Sequence, residues 1–240
     1  MFVKLILMYQ FLATALPSII LVYIFYTFDH FPEPRKLVIY TFIWGILITF
    51  PAGYINVFFM DAIDERYYYD SSTYNFLYNL IPGATVEEIL KFLVLFFFCM
   101  RLKDFDEPID GLVYGSAVAL GFAMYENFGY VYNEELLIYY TWENIAIIRA
   151  LLTVPMHAFC GIFIGFSISY YKFGNKNILV IPFGLIVAIA FHAFFNTYAG
   201  SAISGFIIFL QLIITILLFK NLRKKQIDKL AIFNKDNFIK

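Results

Sequence analysis

The chain has 240 residues, of which 62% are hydrophobic and 15% are charged, and its mean hydropathy is +0.75. A water-soluble domain of this length could not bury so much apolar surface, so the composition indicates a polytopic membrane protein embedded in a lipid bilayer. The formal net charge is −1, and no basic patch interleaved with aromatic residues precedes the C-terminal tail. The sequence therefore excludes a nucleic-acid-binding protein.

Apolar runs long enough to cross a bilayer recur along the chain and predict an all-α transmembrane bundle of about seven spans. The predicted spans are 5–28, 37–60, 80–100, 111–132, 145–171, 178–198 and 203–219, and the polar stretches 61–79 and 133–144 are predicted loops. Residues 1–219 then form a single integral-membrane domain, and residues 220–240 form a basic cytoplasmic tail. Cys99 and Cys160 both fall inside apolar runs, where they are expected to act as small core residues.

Lysine and arginine are strongly segregated along the chain. Thirteen of the 17 lie in the loops 29–36, 101–110 and 172–177 and in the tail. By the positive-inside rule, this distribution places the C-terminus in the cytoplasm. With seven spans, the N-terminus is then external, and the protein is a multi-pass protein of the cell membrane.

The third predicted span contains two adjacent carboxylates and an ammonium group, Glu87, Glu88 and Lys91. Charged groups at such depth cost about 2.5–3.5 kcal/mol each on insertion scales, so they usually have a function. On a helix, Lys91 is placed to pair with both acids, at i,i+4 and i,i+3. The alternative is a purely structural ion pair that fixes the register of the helix.

Three further spans carry polar groups, each of which has a structural explanation when taken alone. Arg149 could reach the membrane interface, His157 could bond a backbone carbonyl, and Glu126 with Asn127 could join two helices. The sixth span places His192 and Asn196 on one helical face. The fourth span also carries small residues at i,i+4 spacing, which predicts close packing against another helix: Gly111, Gly115, Ala119 and Ala123.

Depth favours a joint role for the ionisable groups. Counted from the predicted outer ends of the spans, Glu87, Glu126 and His192 lie roughly 9–10 Å deep, and His157 lies roughly 18 Å deep. Four helices would therefore place two acids and two imidazoles in the outer half of one bundle.

This combination of residues predicts hydrolytic chemistry. A buried carboxylate such as Glu87 can act as a general base toward water, while His192 and Asn196 can hold a developing oxyanion. The same side chains could instead bind Zn²⁺ as a His₂Glu site. No HExxH motif is present, so the sequence does not favour a metal over direct carboxylate catalysis.

Four short motifs occur in order on successive spans: Glu87-Glu88-x-x-Lys91, Gly121-Phe122-Ala123-x-x-Glu126-Asn127-x-x-Tyr130, His157-Ala158-x-x-Gly161 and His192-Ala193-x-x-Asn196. In these motifs, between residues 82 and 196, the chain resembles the PrsW family of intramembrane proteases. That family belongs to the wider superfamily of CAAX prenyl endopeptidases and bacteriocin-processing enzymes.

The resemblance implies a glutamate-dependent, metal-independent peptidase with no cofactor. Glu87 and Glu88 match the essential pair of the family, His192 matches the essential histidine, and Asn196 is its helical partner. His157 is assigned to the catalytic set, and the expected supporting residues are Lys91, Glu126, Asn127 and Arg149. The implied substrates are membrane-anchored regulatory proteins such as anti-sigma factors. With the predicted topology, cleavage is expected near the external face.

Two interpretations from other functional classes stay open at the level of sequence. Buried Glu–Lys–His sets also build the proton relays of ion-coupled transporters. A non-catalytic scaffold subunit could use the same polar face to dock a partner helix.

Overall fold

The structure is a computed structural model that describes residues 2–67, 69, 71–174 and 176–238, without the side chains of residues 2–3 and 228–238. Within these ranges, all regular structure is helical. The α-helices are α1 (Phe2–Thr27), α2 (Arg35–Leu47), α3 (Thr49–Asp64), α4 (Ser72–Leu80), α5 (Val86–Phe97), α6 (Asp110–Val131), α7 (Trp142–Ile148), α8 (Val154–Phe173), α9 (Val180–Thr197) and α10 (Ala202–Phe238). One π-helical turn, Ile81–Thr85, joins α4 to α5, and a second, Arg149–Thr153, joins α7 to α8.

Five helical runs of the described chain are long and apolar enough to cross a membrane. They are Lys4–Thr27, Arg35–Asp64, Trp142–Phe173, Val180–Thr197 and Ala202–Ile227. The other two predicted spans correspond to the run α4–α5, which contains the three charged groups, and to α6. The all-α polytopic membrane bundle is therefore confirmed, while the count of seven crossings stays a prediction.

Helices α6 and α8 form the centre of the bundle, and their contact depends on glycine. A Cβ added to Gly115 would collide with the carbonyl oxygen of Gly161, and a Cβ added to Gly165 would collide with that of Gly111. The two backbones therefore touch directly, as is common between membrane helices with small residues on the facing sides. The small-residue face that the sequence predicted on the fourth span is confirmed.

The prediction of a loop over 61–79 was wrong for much of its length. Helix α3 continues to Asp64, and α4 begins after Ser71, whose hydroxyl accepts a hydrogen bond from the backbone N–H of Tyr74. The third predicted span therefore continues a helix that begins before it, and Pro82 lies inside this helical run. It lies in the π-helical turn, where a residue that lacks an N–H interrupts the regular α-helical bonding.

Segments predicted to lie on the same side of the membrane meet at one end of the bundle. The ammonium group of Lys172 donates to the carbonyl oxygen of Phe105, and the amide of Gln226 donates to Asp29. The loop after α1, the loop before α6, the end of α8 and α10 are thus gathered together. We call this the loop end of the bundle.

The predicted boundary between the membrane domain and the tail lies inside a helix. Helix α10 runs from Ala202 to Phe238 and so passes residue 219 without a break. The division into a domain of 1–219 and a tail of 220–240 stays a prediction.

Candidate active site

The backbone before the two glutamates is held by an amide from α9. Asn196 Nδ2 donates to the carbonyl oxygen of Gly83, at 3.0 Å, and Thr85 Oγ1 donates to that of Leu80. A Cβ at Gly83 would lie 3.2 Å from Asn196 Nδ2, so glycine allows this close approach. These bonds satisfy carbonyl groups in the π-helical turn and fix where α5 begins.

Glu88 is fully buried and binds two cationic or potentially cationic groups through one oxygen. Its Oε1 lies 2.7 Å from Lys91 Nζ and 2.8 Å from His192 Nδ1. Because a carboxylate accepts and does not donate, His192 presents a protonated Nδ1 to Glu88. The other ring nitrogen of His192, Nε2, is then turned toward Glu87, whose Oε2 lies 4.0 Å away.

Glu87 differs from Glu88 in that it has an oxygen free to react. Its Oε2 is buried without a hydrogen-bond partner, and the nearest ammonium, Lys91 Nζ, lies 3.8 Å away. Glu87 also lines a cavity of about 250 Å³ between α3 and α6. Residues that share this wall include Asn56, Glu126 and Tyr130. A water molecule in the cavity could therefore contact the Glu87 carboxylate directly.

A second polar group adjoins the first and is built by α6 and by the second π-helical turn. Glu126 Oε2 lies 2.8 Å from His157 Nε2 and 2.9 Å from Arg149 Nη2. Arg149 Nε donates to Asn127 Oδ1 at 2.6 Å, and the guanidinium lies 3.8 Å from the ring centre of Tyr130. The π-helical turn that begins at Arg149 places this side chain beside the carboxylate.

Lys91 and His157 connect the two groups. Lys91 Nζ lies 2.9 Å from His157 Nδ1 and 4.4 Å from the ring centre of Phe122. Since an ammonium group can only donate, His157 accepts at Nδ1 and donates at Nε2 to Glu126. The rings of His157 and His192 meet edge to face, 4.8 Å apart between centres.

The structure thus brings nearly all the predicted site residues into one cluster. Glu87, Glu88, Lys91, Glu126, Asn127, Arg149, His157 and His192 form it, while Asn196 contacts the adjoining π-helical turn. His157 is not separated in depth from the other groups, contrary to the estimate from the sequence. Counting from residue 145 assumed that the outer ends of all spans lie at one level, and helical runs of different length and tilt do not meet that condition.

Sequence reasoning missed Asn56, which reaches the same cavity from α3. Its Oδ1 is buried without a hydrogen-bond partner. Asn56 is an isolated carboxamide in an otherwise apolar run, and such a residue could have been noted as a candidate. The two π-helical turns were also not predicted, because π-helices have no sequence signature as clear as a capping box.

Comparison with known proteins decides the family. A family model described as "PrsW family intramembrane metalloprotease" matches residues 33–220. The chain belongs to the PrsW family. This membership favours the peptidase interpretation over the transporter and scaffold interpretations.

Individual relatives agree with the family match. The chain is 30% identical to "Protease PrsW" of Bacillus subtilis over 211 residues, which cover 87% of this chain and 90% of that protein. It is 34% identical to "Protease PrsW" of Geobacillus kaustophilus over 162 residues, which cover 67% of this chain and 66% of that protein. A third relative, "Protease PrsW" of Oceanobacillus iheyensis, is 31% identical over 174 residues, covering 70% and 74% of the two chains. No solved structure matches the chain.

The description of the PrsW family names a metalloprotease, so side chains of the cluster are candidate metal ligands. Glu87, His157 and His192 each offer a ligand atom, and these atoms lie within 4.8 Å of one another. One carboxylate and two imidazoles match the ligands of many catalytic zinc sites. However, both ring nitrogens of His157 already have partners, Lys91 and Glu126. In this arrangement, Glu87 and His192 each keep a ligand atom that a metal could bind, but His157 does not. The three residues therefore do not form a complete three-ligand site.

Proposed function

We propose that the chain is an intramembrane endopeptidase that hydrolyses a peptide bond in a membrane-anchored protein, with Glu87 as the general base. The observation that carries this proposal is that Glu87 lines the cavity while its buried Oε2 has no hydrogen-bond partner. A carboxylate with a free lone pair, held beside a cavity large enough for several water molecules, can take a proton from water as that water attacks a carbonyl carbon. The same proton then passes from Glu87 to the leaving amine.

Glu88 and Lys91 act as positioning residues. Lys91 is fully buried between the two carboxylates and His157, so it holds Glu87 and Glu88 apart and offsets their mutual repulsion. Glu88 orients His192 through the bond to Nδ1. A proton on Nε2 of His192 would give an imidazolium paired with the Glu88 carboxylate. In that form, Nε2–H can donate to the oxyanion of the tetrahedral intermediate.

Two carboxamides have separate roles in this proposal. Asn196 was predicted to hold the oxyanion beside His192, but its Nδ2 is engaged with the Gly83 carbonyl, which supports a positioning role. The carboxamide of Asn56 faces the cavity and is free to bind the backbone of the substrate. Glu126 and Arg149 support His157, which in turn supports Lys91.

In this mechanism, the Glu87 carboxylate acts directly on water, since both ring nitrogens of His157 are bound to other partners. If a divalent ion were bound, Glu87, His192 and His157 would hold it, and it would polarise the scissile carbonyl as a Lewis acid. Metal independence, as expected from the sequence, stays a prediction to be tested with a chelator.

We also propose that the cut is made near the external face of the membrane. The cavity that Glu87 lines extends to Tyr130 and Asn133, at the end of α6 that the charge distribution places outside. Toward the other end, α6 and α8 are in direct backbone contact at Gly111, Gly115, Gly161 and Gly165. Water is therefore expected to reach Glu87 from the external side.

Co-expression with tagged single-span membrane proteins tests the proposed function. We expect wild-type protein to release fragments that are missing when Glu87→Gln is expressed at the same level. Glu134→Gln is the matched control, because it removes an exposed carboxylate from the loop after α6. The proposed function would be contradicted if Glu87→Gln released the same fragments as wild type.

A further inference from the structure

Three carboxylates are buried together at the loop end of the bundle, far from the active site in the fold. Asp29 and Glu33 come from the loop between α1 and α2, and Asp110 is the first residue of α6. Each offers an oxygen atom, and these atoms lie within 4.8 Å of one another. The three residues are 1–5% exposed.

Apart from a hydrogen bond between the side chains of Glu33 and Asp110, the hydrogen-bond partners of this cluster are uncharged. Glu33 Oε2 accepts from the hydroxyl of Tyr114, and Asp110 Oδ2 accepts from the backbone N–H groups of Asp106 and Glu107. Within the described part of the chain, no lysine or arginine forms an ion pair with any of the three acids. Lys172, on the same end, donates to backbone carbonyls instead.

Buried carboxylates without a cation are costly, because desolvation is not repaid by an opposite charge. The cluster therefore needs either protons or a bound cation.

The hydrogen bonding of the Asp29 carboxylate favours a bound cation. Its Oδ1 accepts from the N–H of Phe31 and from Nε2 of Gln226, whereas its Oδ2 is buried with no hydrogen-bond partner. Asp29 is only 5% exposed, so this oxygen is also cut off from bulk water. A buried oxygen that keeps unused lone pairs beside two other carboxylates is a free ligand position.

We propose that Asp29, Glu33 and Asp110 bind a divalent cation of the hard class, Mg²⁺ or Ca²⁺. The donors are all oxygen, with neither histidine nor cysteine among them, which matches these two ions and not zinc or copper. The bound ion would join the α1–α2 loop to the start of α6. Gln226, which bonds both Asp29 and Glu107, would extend this link to α10.

Binding of Mg²⁺ and Ca²⁺ to the purified full chain in detergent tests the proposal, with Glu87→Gln as the background so that the active site does not contribute. Isothermal titration and thermal unfolding after EDTA treatment are the two readouts. We expect saturable binding of one ion and a higher Tm when it is bound. Asp29→Asn and Glu33→Gln should each weaken binding by at least about tenfold, as expected for the loss of groups at a metal site.

Asp104→Asn is the matched control, since Asp104 is an exposed acid at the same end of the bundle and should bind as the background does. If the background protein shows no saturable binding of either ion up to millimolar concentration, the proposal is wrong and the cluster is held by protons. It is equally wrong if Asp104→Asn weakens binding as much as Asp29→Asn does. The titration of the background protein decides the matter even where a variant fails to fold.

Discussion

His192 Nδ1 lies 2.8 Å from Glu88 Oε1, and that same oxygen lies 2.7 Å from Lys91 Nζ. One fully buried carboxylate thus orients the imidazole and holds the ammonium group beside Glu87. The neighbouring Glu87 lines the cavity, and its buried Oε2 has no hydrogen-bond partner. Two adjacent glutamates with the same chemistry therefore have different surroundings, which is the basis of the different roles proposed for them.

Because Glu88 and Lys91 are paired, the effect of replacing one of them on protein stability should depend on whether the other is present. Lys91→Met should destabilise the protein by about 3–5 kcal/mol, because it leaves Glu88 buried without its ammonium partner. The double variant Glu88→Gln/Lys91→Met should be more stable than Lys91→Met alone, since the uncompensated charge is gone. Thermal unfolding in detergent of Lys91→Met, Glu88→Gln and the double variant measures the coupling, and simple additivity of the two single effects would rule it out.

Replacement of Asn196 should lower the stability of the protein, whereas replacement of Asn56 should lower its rate of cleavage. Asn196→Ala removes the hydrogen bond to the Gly83 carbonyl, one helical turn before Glu87, so we expect a loss of about 0.5–1.5 kcal/mol of stability. Asn56→Ala breaks no side-chain hydrogen bond among the residues that the structure describes, yet it should lower kcat/KM by about 10²–10³ if the amide stabilises the transition state. Unfolding curves and cleavage rates measured on the same preparations test this prediction. It is contradicted if Asn56→Ala lowers stability and Asn196→Ala lowers only the cleavage rate.

Chelation tests the direct action of the carboxylate. Since His157 is engaged with Lys91 and Glu126, we expect cleavage to continue at the wild-type rate after treatment with phenanthroline. Unfolding monitored in the same buffer shows whether the fold survives the treatment. Loss of cleavage that Zn²⁺ restores would show instead that Glu87, His157 and His192 hold a metal.

Topology can be tested with single cysteines, because Cys99 and Cys160 are buried. Cysteines at Glu65 and Glu134 should react with an impermeant maleimide added outside intact cells. Cysteines at Lys103 and Lys176 should react only after the cells are opened. Labelling of the second pair in intact cells would turn the active site toward the cytoplasm.

Much of the site follows from sequence because charge is so costly inside a membrane. Glu87, Glu88 and Lys91 were conspicuous in an apolar run, and helical spacing placed His192 on the face of α9 that also carries Asn196. The close approach of α6 and α8 followed from Gly111 and Gly115 in the same way. Each of these features depends on one helix and its periodicity.

What could not be predicted depends on contacts between helices. Asn196 shares a face with His192, but which carbonyl it meets is decided by the π-helical turn at Gly83. The depth of His157 depends on where its helix begins and how it packs, which residue counting does not give. The Asp29 cluster joins residues from distant parts of the chain that showed no common pattern in the sequence.

The most direct measurement is the rate at which the purified, reconstituted protein cleaves a transmembrane substrate when Glu87 is replaced by its amide. Glu87→Gln keeps the size of the side chain and removes the base, so the rate should fall by at least about 10²-fold, while Glu134→Gln should cleave as wild type does. Correct folding of Glu87→Gln is checked by an unchanged unfolding temperature or a higher one. If folded Glu87→Gln cleaves the substrate at the wild-type rate, Glu87 is not the general base.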